Sequence, residues 1–159
     1  MIQIFTTGGT FDKVYFDANS EFEIGDSPLP ELLAESNIHD GYVINGLMRK
    51  DSLEMTDTDR RSILDAVTAS DAGQILITHG TDTMAETAQV LSAVTDKTIV
   101  LLGAMQPARM RRSDALFNLG FAWAAVRLLP AGVYIAMNGE VFEAGEVRKN
   151  LKAQKFERT

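Results

Sequence analysis

The feature that most constrains the fold is residues 74–84, QILITHGTDTM, where an apolar run ends abruptly in a polar cluster. The run at residues 75–77 is continuous rather than alternating, which is typical of a buried strand in a parallel sheet. Asp82 or Thr83 can cap a helix that follows. Hydroxyl, carboxylate and free helix N–H groups would therefore meet at the carboxyl end of a strand, where open α/β sheets bind ligands.

The same strand-then-helix pattern recurs along the chain and defines the predicted fold. Strands are predicted at residues 2–6, 41–47, 74–78, 98–102 and 132–137, and helices at 27–36, 56–70, 83–94 and 115–129. This alternation predicts an α/β three-layer sandwich, flavodoxin- or Rossmann-like, with a mostly parallel sheet and right-handed crossovers. The expected strand order 2-1-3-4-5 places the first and third strands side by side at the switch point.

Three other segments are less regular. Residues 11–25 mix aromatic and charged side chains without a period, which favours a lid or binding loop. Asn45-Gly46 leaves a turn open as an alternative to the second strand, while Asn138-Gly139 is predicted to turn into a short edge strand at residues 140–142. The basic tail from Glu146 shows no obvious core-forming element.

Composition limits the classes of function. A chain of 159 residues fits one domain, and its net charge of −7 argues against nucleic acid and anionic membranes as partners. Zero cysteines exclude disulfides and thiol catalysis, and two histidines argue against a metal site. No signal-peptide pattern and no apolar run of ~20 residues is recognisable, so a soluble cytoplasmic protein is expected.

A second polar cluster, TTGGT at residues 6–10, ends the first predicted strand. Its two glycines allow a tight turn and a close backbone approach to a ligand. Because the first and third strands are expected to be neighbours, Thr10 would lie beside Thr81 and Asp82. This group favours a hydroxyl nucleophile that an amine or carboxylate activates, with backbone N–H groups stabilising an oxyanion.

Four segments resemble, in their order and spacing, the signature segments of the bacterial-type L-asparaginase family. They are TGGT at residues 7–10, HGTDTM at 79–84, GAMQP at 103–107 and FNL at 117–119. Each segment is short, but together they extend over nearly the whole chain. The resemblance implies hydrolysis of L-asparagine to L-aspartate and ammonia, without a metal or an organic cofactor.

The resemblance also implies roles for individual catalytic residues. Thr10 corresponds to the acyl-accepting nucleophile of the family. Thr81 and Asp82 correspond to the second motif, and a downstream lysine, for which Lys155 is the candidate, would complete a Thr-Lys-Asp relay. Tyr15 would act from the flexible loop that follows the first motif.

The substrate-binding residues implied by the resemblance are Gly9, Ser52, Gly80, Thr81 and Asp82. Ser52 corresponds to the residue that holds the α-carboxylate of the substrate, and Asp82 would meet its α-ammonium. One position departs from the family, whose Ser-Gln-Asp segment is Ser52-Leu53-Glu54 here. This difference removes one amide contact to the substrate.

A purely structural role is the alternative for each candidate. It would be a cap for Thr10, Thr81 and Asp82, a loop position for Ser52, a surface aromatic for Tyr15 and a solvated tail lysine for Lys155. His79 is interpreted as a hydrogen-bonded structural residue beside the site rather than as a base.

Familiar members of the family carry a second domain, and a neighbouring subunit lends an acidic residue to the site. Residues 1–159 are therefore predicted to form a single asparaginase-like domain that lacks the second family domain. The resemblance also implies a homodimer or a homotetramer. Two other functions stay open: a catalytically idle amino-acid-binding homologue, and an amidase that acts on glutamine or another side-chain amide, including a tRNA-linked one.

Overall fold

The computed structural model describes residues 1–16, 18 and 20–159; residues 17 and 19, which fall in the loop predicted at 11–25, lie outside the described residues. In chain order the elements are β1 (Ile2–Gly8), β2 (Lys13–Phe16), β3 (Glu21–Ile24), α1 (Leu29–Glu35), β4 (Tyr42–Lys50), α2 (Asp57–Ala69), β5 (Gln74–Thr78), α3 (Met84–Leu91), β6 (Thr98–Leu102), α4 (Ala115–Leu128), β7 (Gly132–Met137), β8 (Glu140–Glu143), β9 (Val147–Asn150) and β10 (Lys155–Arg158). Two short 3₁₀ helices, Thr10–Asp12 and Ser52–Glu54, follow β1 and β4.

A six-stranded sheet in the order β4-β1-β5-β6-β7-β8 forms the centre of the fold. The first five strands are parallel, and β8 pairs antiparallel with β7 at the edge. The predicted α/β fold is confirmed: its five strands follow the order 2-1-3-4-5, and β8 adds a sixth strand to that order. Because β1 pairs with both β4 and β5, the carboxyl ends of β1 and β5 are adjacent at the switch point.

Hydrophobic clusters cover both faces of this sheet, which makes three layers. Ile75 and Ile77 of β5 belong to one cluster, together with residues of α2 and α3. Leu76, between them, belongs to the other cluster, which contains residues of α1 and α4. This division follows from the alternation of side chains along a strand. Each fully buried aliphatic side chain contributes about 1.5–3 kcal/mol of hydrophobic stabilisation.

The starts of two helices near the site differ. Thr56 begins α2 with a capping box: its Oγ1 accepts from Asp59 N at 3.2 Å, and Thr56 N donates to Asp59 Oδ2 at 2.8 Å. Of the two residues predicted to cap α3, Thr83 takes the N-cap position and Asp82 precedes it, but neither side chain makes a cap hydrogen bond. Both side chains have other partners in the site.

Two segments that were predicted to be irregular form antiparallel hairpins. Residues 11–25 contain the β2–β3 hairpin rather than an open loop. The tail forms the β9–β10 hairpin, and its Val147 and Phe156 are buried in the hydrophobic core. The prediction of a tail without a core-forming element is therefore wrong.

The two Asn-Gly pairs of the chain have different structures, and the strand predicted at residues 41–47 is confirmed as part of β4. Asn45 and Gly46 continue β4 and pair with β1, so the alternative of a turn there is wrong. Asn138 and Gly139 have φ of 50° and 87° and connect β7 to β8, which confirms that turn.

Among the described residues, no helix combines the length and the apolar character needed to cross a membrane.

Candidate functional site

Two glycines bring the two polar motifs into contact. Gly9 follows β1 with a φ of 76°, and Gly80 follows β5. A Cβ on Gly9 would lie 2.5 Å from both Cα and N of Gly80, so the two turns touch backbone to backbone and a side chain has no room there. This contact brings the next residues of the two turns, Thr10 and Thr81, to the same edge of the sheet.

The end of β4 holds the first of these turns in place. Gly9 N donates to Lys50 O at 2.9 Å, and a Cβ on Gly8 would lie 2.6 Å from Lys50 N. Lys50 Nζ donates to both carboxylate oxygens of Asp59 on α2, at 2.9 and 2.8 Å. Hydrogen bonds from this ammonium and from Thr56 N lower the pKa of Asp59 to about 2. The turn is therefore tied to both the sheet and α2.

Ser52 connects the end of β4 to the start of α3. It is buried; its Oγ accepts from Thr83 N at 3.3 Å, and its carbonyl accepts from Thr83 Oγ1 at 2.8 Å. It also fills the space beside Gly80, where an added Cβ would lie 2.6 Å from Ser52 Oγ. Ser52 thus lies against the turn that carries Thr81.

The lysine of the site comes from β9. Lys149 Nζ donates to Thr81 Oγ1 at 2.7 Å and to Asp82 Oδ1 at 2.6 Å, and the Lys149 side chain is only 7% exposed. Lys155 is exposed on β10, where it pairs with Asn150 at the far end of the hairpin. The structure therefore corrects the predicted position: Lys149, not Lys155, contacts Thr81 and Asp82.

The alternation of side chains in this hairpin explains the correction. Phe156 lies opposite Lys149, and both face the body of the protein together with Val147. Lys155 is the neighbour of Phe156 along the strand, so its side chain points the other way. Sequence reasoning missed Lys149 because VRKN is too short and too polar to indicate a strand. The available signal was the spacing of two between Val147 and Lys149, which places both on one face.

His79 lies beneath the second turn as a buried hydrogen-bonding residue. Its Nδ1 is 2.7 Å from Gly80 O and its Nε2 is 2.8 Å from Thr87 Oγ1. Burial lowers the pKa of His79 to about 4, so the imidazole is neutral at pH 7. A neutral ring satisfies both partners if Nδ1–H donates to the carbonyl and Nε2 accepts from the Thr87 hydroxyl. His79 therefore fixes the turn, in agreement with its predicted structural role.

The turn after β6 closes the other side of the site. A Cβ on Gly103 would lie 3.2 Å from Thr81 Cγ2, so this backbone packs directly against the threonine. Asn118, fully buried on α4, donates from Nδ2 to Gly103 O at 2.9 Å and to Asp114 Oδ2 at 3.0 Å. Asp114 also accepts from Met105 N at 3.0 Å. The GAMQP and FNL segments are thus joined by a buried hydrogen-bond network.

The remaining candidates are less constrained. Thr10 begins the 3₁₀ helix Thr10–Asp12, is partly buried, and has no hydrogen bond from its hydroxyl to any described residue. Tyr15 is half-exposed on β2, with its ring edge-on to Phe22 at 5.5 Å between centroids. Tyr15 therefore lies on an exposed hairpin, whereas the residues that the structure brings together are Gly9, Ser52, Gly80, Thr81, Asp82 and Lys149.

The arrangement combines hydroxyls, one carboxylate and one ammonium at the switch point. Such a set can bind a small zwitterion and can place a hydroxyl next to a bound carbonyl carbon. Among the described residues, no group of three or more His, Asp or Glu side chains is placed to hold a metal ion.

Comparison with known proteins gives a consistent result. Residues 1–157 match the sequence profile of the family described as "Asparaginase, N-terminal". A glutaminase-asparaginase from Acinetobacter glutaminasificans is 32% identical over 164 residues, which cover 94% of this chain and 50% of that protein. A Haemophilus influenzae protein named "Probable L-asparaginase periplasmic" is 32% identical over 163 residues, 93% of this chain and 46% of that protein.

Among solved structures, L-asparaginase I from Vibrio cholerae superimposes with a TM-score of 0.86 and 26% sequence identity. The superposition covers 99% of this chain and 50% of that chain. The chain thus spans about half the length of the curated relatives it matches.

Proposed function

We propose that this chain, which belongs to the asparaginase N-terminal family, acts in the hydrolysis of L-asparagine to L-aspartate and ammonia. The observation that carries the proposal is the backbone contact between Gly9 and Gly80, because it joins the two motifs into one site. The asparaginase names of the relatives support it. No metal and no organic cofactor takes part in the proposed reaction.

Thr10 is the proposed nucleophile. Its Oγ attacks the side-chain carbonyl carbon of asparagine, the C–N bond breaks, and ammonia leaves with the proton of the hydroxyl. Water then hydrolyses the ester on Thr10 and releases aspartate. The free Thr10 hydroxyl supports this role, since no described side chain has to give up a hydrogen bond before the attack.

Thr81, Lys149 and Asp82 are the proposed proton-transfer group. Lys149 Nζ lies within hydrogen-bond distance of both Thr81 Oγ1 and Asp82 Oδ1. In its uncharged form the lysine accepts the Thr81 proton while Thr81 accepts the proton of Thr10, and the lysine later returns a proton to the leaving nitrogen. Asp82 orients the lysine throughout.

The proposed substrate-binding residues lie at the same edge of the sheet. Asp82 has a second carboxylate oxygen for the α-ammonium of the substrate, and its side chain is 31% exposed. Ser52 Oγ accepts from Thr83 N, which leaves its own proton free for the α-carboxylate. Gly9 and Gly80 allow the close backbone approach. Tyr15 is the proposed lid residue, on the exposed β2–β3 hairpin.

The test is ammonia release from asparagine by wild type and Thr10→Val. We expect the variant to lose about 10³-fold or more in kcat with an unchanged melting temperature, because the Thr10 hydroxyl has no hydrogen bond to any described residue. Thr58→Val, on the exposed surface of α2, is the matched control and should keep full activity. Turnover that survives in Thr10→Val would remove Thr10 from this role.

Glutamine is a second candidate substrate, because the Acinetobacter relative is named a glutaminase-asparaginase. The same assay with both amino acids decides between them through the ratio of their kcat/KM values. An idle binding protein predicts a different outcome: asparagine would raise the melting temperature by mass action while no ammonia is released.

The assembly and location of the protein are also proposals. A homodimer or homotetramer is expected from the family resemblance, and the exposed Phe117 and Leu128 of α4 offer apolar surface for it. Light scattering coupled to size-exclusion chromatography measures this. We propose a cytoplasmic location, with which a chain without cysteine is compatible; a Haemophilus relative is named periplasmic, so the family does not decide the compartment.

Activity of residues 1–159 without a second domain remains a prediction. Purified protein of this length, assayed for ammonia release, tests it directly. If it is inactive but gains activity on addition of a second polypeptide that corresponds to the other half of the relatives, the single-domain prediction is wrong and the site assignment stands.

A further inference from the structure

The segment between β6 and α4 contacts both threonine turns of the candidate site. At its start, a Cβ on Gly103 would lie 3.2 Å from Thr81 Cγ2. Further along, Ala108 N donates to Phe11 O at 3.3 Å, and Phe11 directly follows Thr10. The Phe11 side chain is fully buried in the hydrophobic cluster that contains residues of α1 and α4. One segment therefore touches both of the turns that carry the threonines.

Arg109, the next residue of this segment, holds two backbone oxygens at once. Its Nη1 donates to Asp12 O at 3.3 Å, and its Nη2 donates to Asp26 O. Asp12 directly precedes β2 and Asp26 follows β3, so the two oxygens lie at the two ends of the β2–β3 hairpin. A guanidinium suits this arrangement because its N–H donors form a rigid planar fork, whereas a lysine ammonium is a single point of charge.

Two further contacts close the base of the hairpin beside the arginine. Gly25 N donates to Asp12 O at 3.0 Å, so this oxygen accepts two hydrogen bonds. The carboxylate of Asp26 pairs with Arg49 of β4. The base of the hairpin is therefore tied to β4 through Arg49 and to the segment after β6 through Arg109.

The position of Thr10 depends on the backbone around it. Its hydroxyl has no hydrogen bond to any described residue, so hydrogen bonds of the neighbouring backbone hold the turn. On one side, Gly9 N donates to Lys50 O at 2.9 Å. On the other side, Asp12 N donates to Gly9 O at 3.2 Å, and Asp12 O is the oxygen that Arg109 holds. Arg109 thus fixes the backbone two residues after the proposed nucleophile.

We propose that Arg109 is a positioning residue of the amidohydrolase site, which fixes the Thr10 turn relative to the Thr81 turn. This inference rests on the proposed function, because it gives Arg109 a part in the reaction of Thr10. The proposed substrate-binding side chains, Ser52 and Asp82, have their hydrogen bonds with residues other than Arg109. Loss of Arg109 therefore lowers kcat and leaves KM unchanged, since substrate binding is kept and the geometry of attack is not.

The experiment measures ammonia release from asparagine by wild type, Arg109→Met and Arg109→Lys. Methionine removes both donors, and lysine keeps the charge without the fork. We expect kcat to fall about 10–10²-fold in Arg109→Met with KM within about twofold of the wild type, and Arg109→Lys to give an intermediate kcat. Because Arg109 is exposed, its melting temperature should change by less than about 4 °C. Arg111→Met, at an exposed arginine of the same segment, is the matched control and should keep full kcat.

Amide hydrogen exchange followed by NMR tests the clamp without substrate. The amides of Asp12 and Gly25 should exchange about tenfold faster or more in Arg109→Met than in the wild type. The amide of His79, which donates to Leu102 O at 2.9 Å, should be unchanged. A wild type that releases no ammonia from asparagine or glutamine would disprove the proposed function, and faster exchange in the variant would then still support Arg109 as the clamp of the turn.

Several outcomes would overturn the proposal. They are a kcat of Arg109→Met within about twofold of the wild type, a loss that appears in KM instead of kcat, and an equal loss in Arg111→Met. Full activity of Arg109→Lys would show that a positive charge alone suffices, which contradicts a clamp on two oxygens. Unchanged exchange at Asp12 and Gly25 would overturn the proposal whether or not the wild type is active.

Discussion

The two antiparallel hairpins that flank the candidate site have opposite character. The β9–β10 hairpin places Val147 and Phe156 in the core, and Lys149 between them reaches Thr81 and Asp82. The β2–β3 hairpin has mostly exposed side chains, and its Tyr15 and Phe22 rings contact each other across the two strands.

The difference shows how this fold fixes a charged group. Lys149 lies opposite Phe156 on the same face of its hairpin, so the burial of the aromatic ring also determines where the ammonium points. The Phe156 ring is further enclosed by Phe142, 6.3 Å away between centroids. Tyr15 has no comparable support, since its cross-strand partner Phe22 is itself half-exposed. The β9–β10 hairpin is therefore anchored in the core, whereas the described side chains of the β2–β3 hairpin are mostly exposed.

The sharpest test of this comparison replaces the lysine. Lys149→Met keeps the length of the side chain and removes its ammonium, and we expect kcat for ammonia release to fall about 10²–10⁴-fold. Lys155→Met, on the same hairpin but exposed, is the control and should change kcat less than about twofold. Equal losses in both variants would show that the hairpin matters only as a whole.

The next test compares the aromatic residues of the two hairpins. Phe156→Ala removes a ring that is 5% exposed and should lower the free energy of unfolding by about 3–5 kcal/mol. Phe22→Ala removes a ring that is 49% exposed and should cost about 1 kcal/mol or less. Urea denaturation followed by circular dichroism measures both. Similar losses would contradict the view that only one hairpin is part of the core.

A pH experiment examines the buried side of the site. The pKa of His79 is lowered from 6.5 to about 4, so the unfolded chain binds more protons than the native protein between these values, and stability falls as pH decreases through this window. The contribution of His79 to the free energy of unfolding should fall by about 2 kcal/mol from pH 7 to pH 5.

The variant His79→Asn should reduce this pH dependence, and His39→Asn, at an exposed histidine, should not. The raised pKa of Asp12 acts in the opposite direction over much of the same range, but it is common to all three proteins and cancels in the comparison. Identical slopes for wild type and His79→Asn would exclude His79 as the source.

The smallest expected effect concerns the hydroxyl of Tyr15. Tyr15→Phe keeps the contact with Phe22 and should leave stability unchanged within about 0.5 kcal/mol. If Tyr15 serves as the lid residue, kcat falls while the melting temperature stays constant. Unchanged kcat would leave the β2–β3 hairpin without a part in the reaction.

The sheet and the two Thr motifs could be predicted because their signals are local. Each parallel strand is a short apolar run that ends in glycine or polar residues, and the run at residues 75–77 is buried on both faces as its composition indicates. The contact between the turns that carry Thr10 and Thr81 then followed from strand order, which is a rule of topology rather than a property of either segment.

The hairpins could not be predicted in the same way. The strand at Val147–Asn150 has four residues, of which one is apolar, and it becomes a strand by pairing with β10 and by burying Val147. The contact of Lys149 with Thr81 spans 68 positions in the sequence. Tertiary contacts of this kind decide short polar strands, and the only local signal here, the spacing of two between Val147 and Lys149, is too short to indicate a strand by itself.

The touching turns at Gly9 and Gly80 have a consequence for evolution. When two large side chains collide, a second substitution that makes one of them smaller can restore the fit. Neither of these positions can become smaller, because both already lack a side chain. A substitution at one of these glycines therefore cannot be compensated by a smaller residue at the other, so both positions must remain glycine for the two turns to touch.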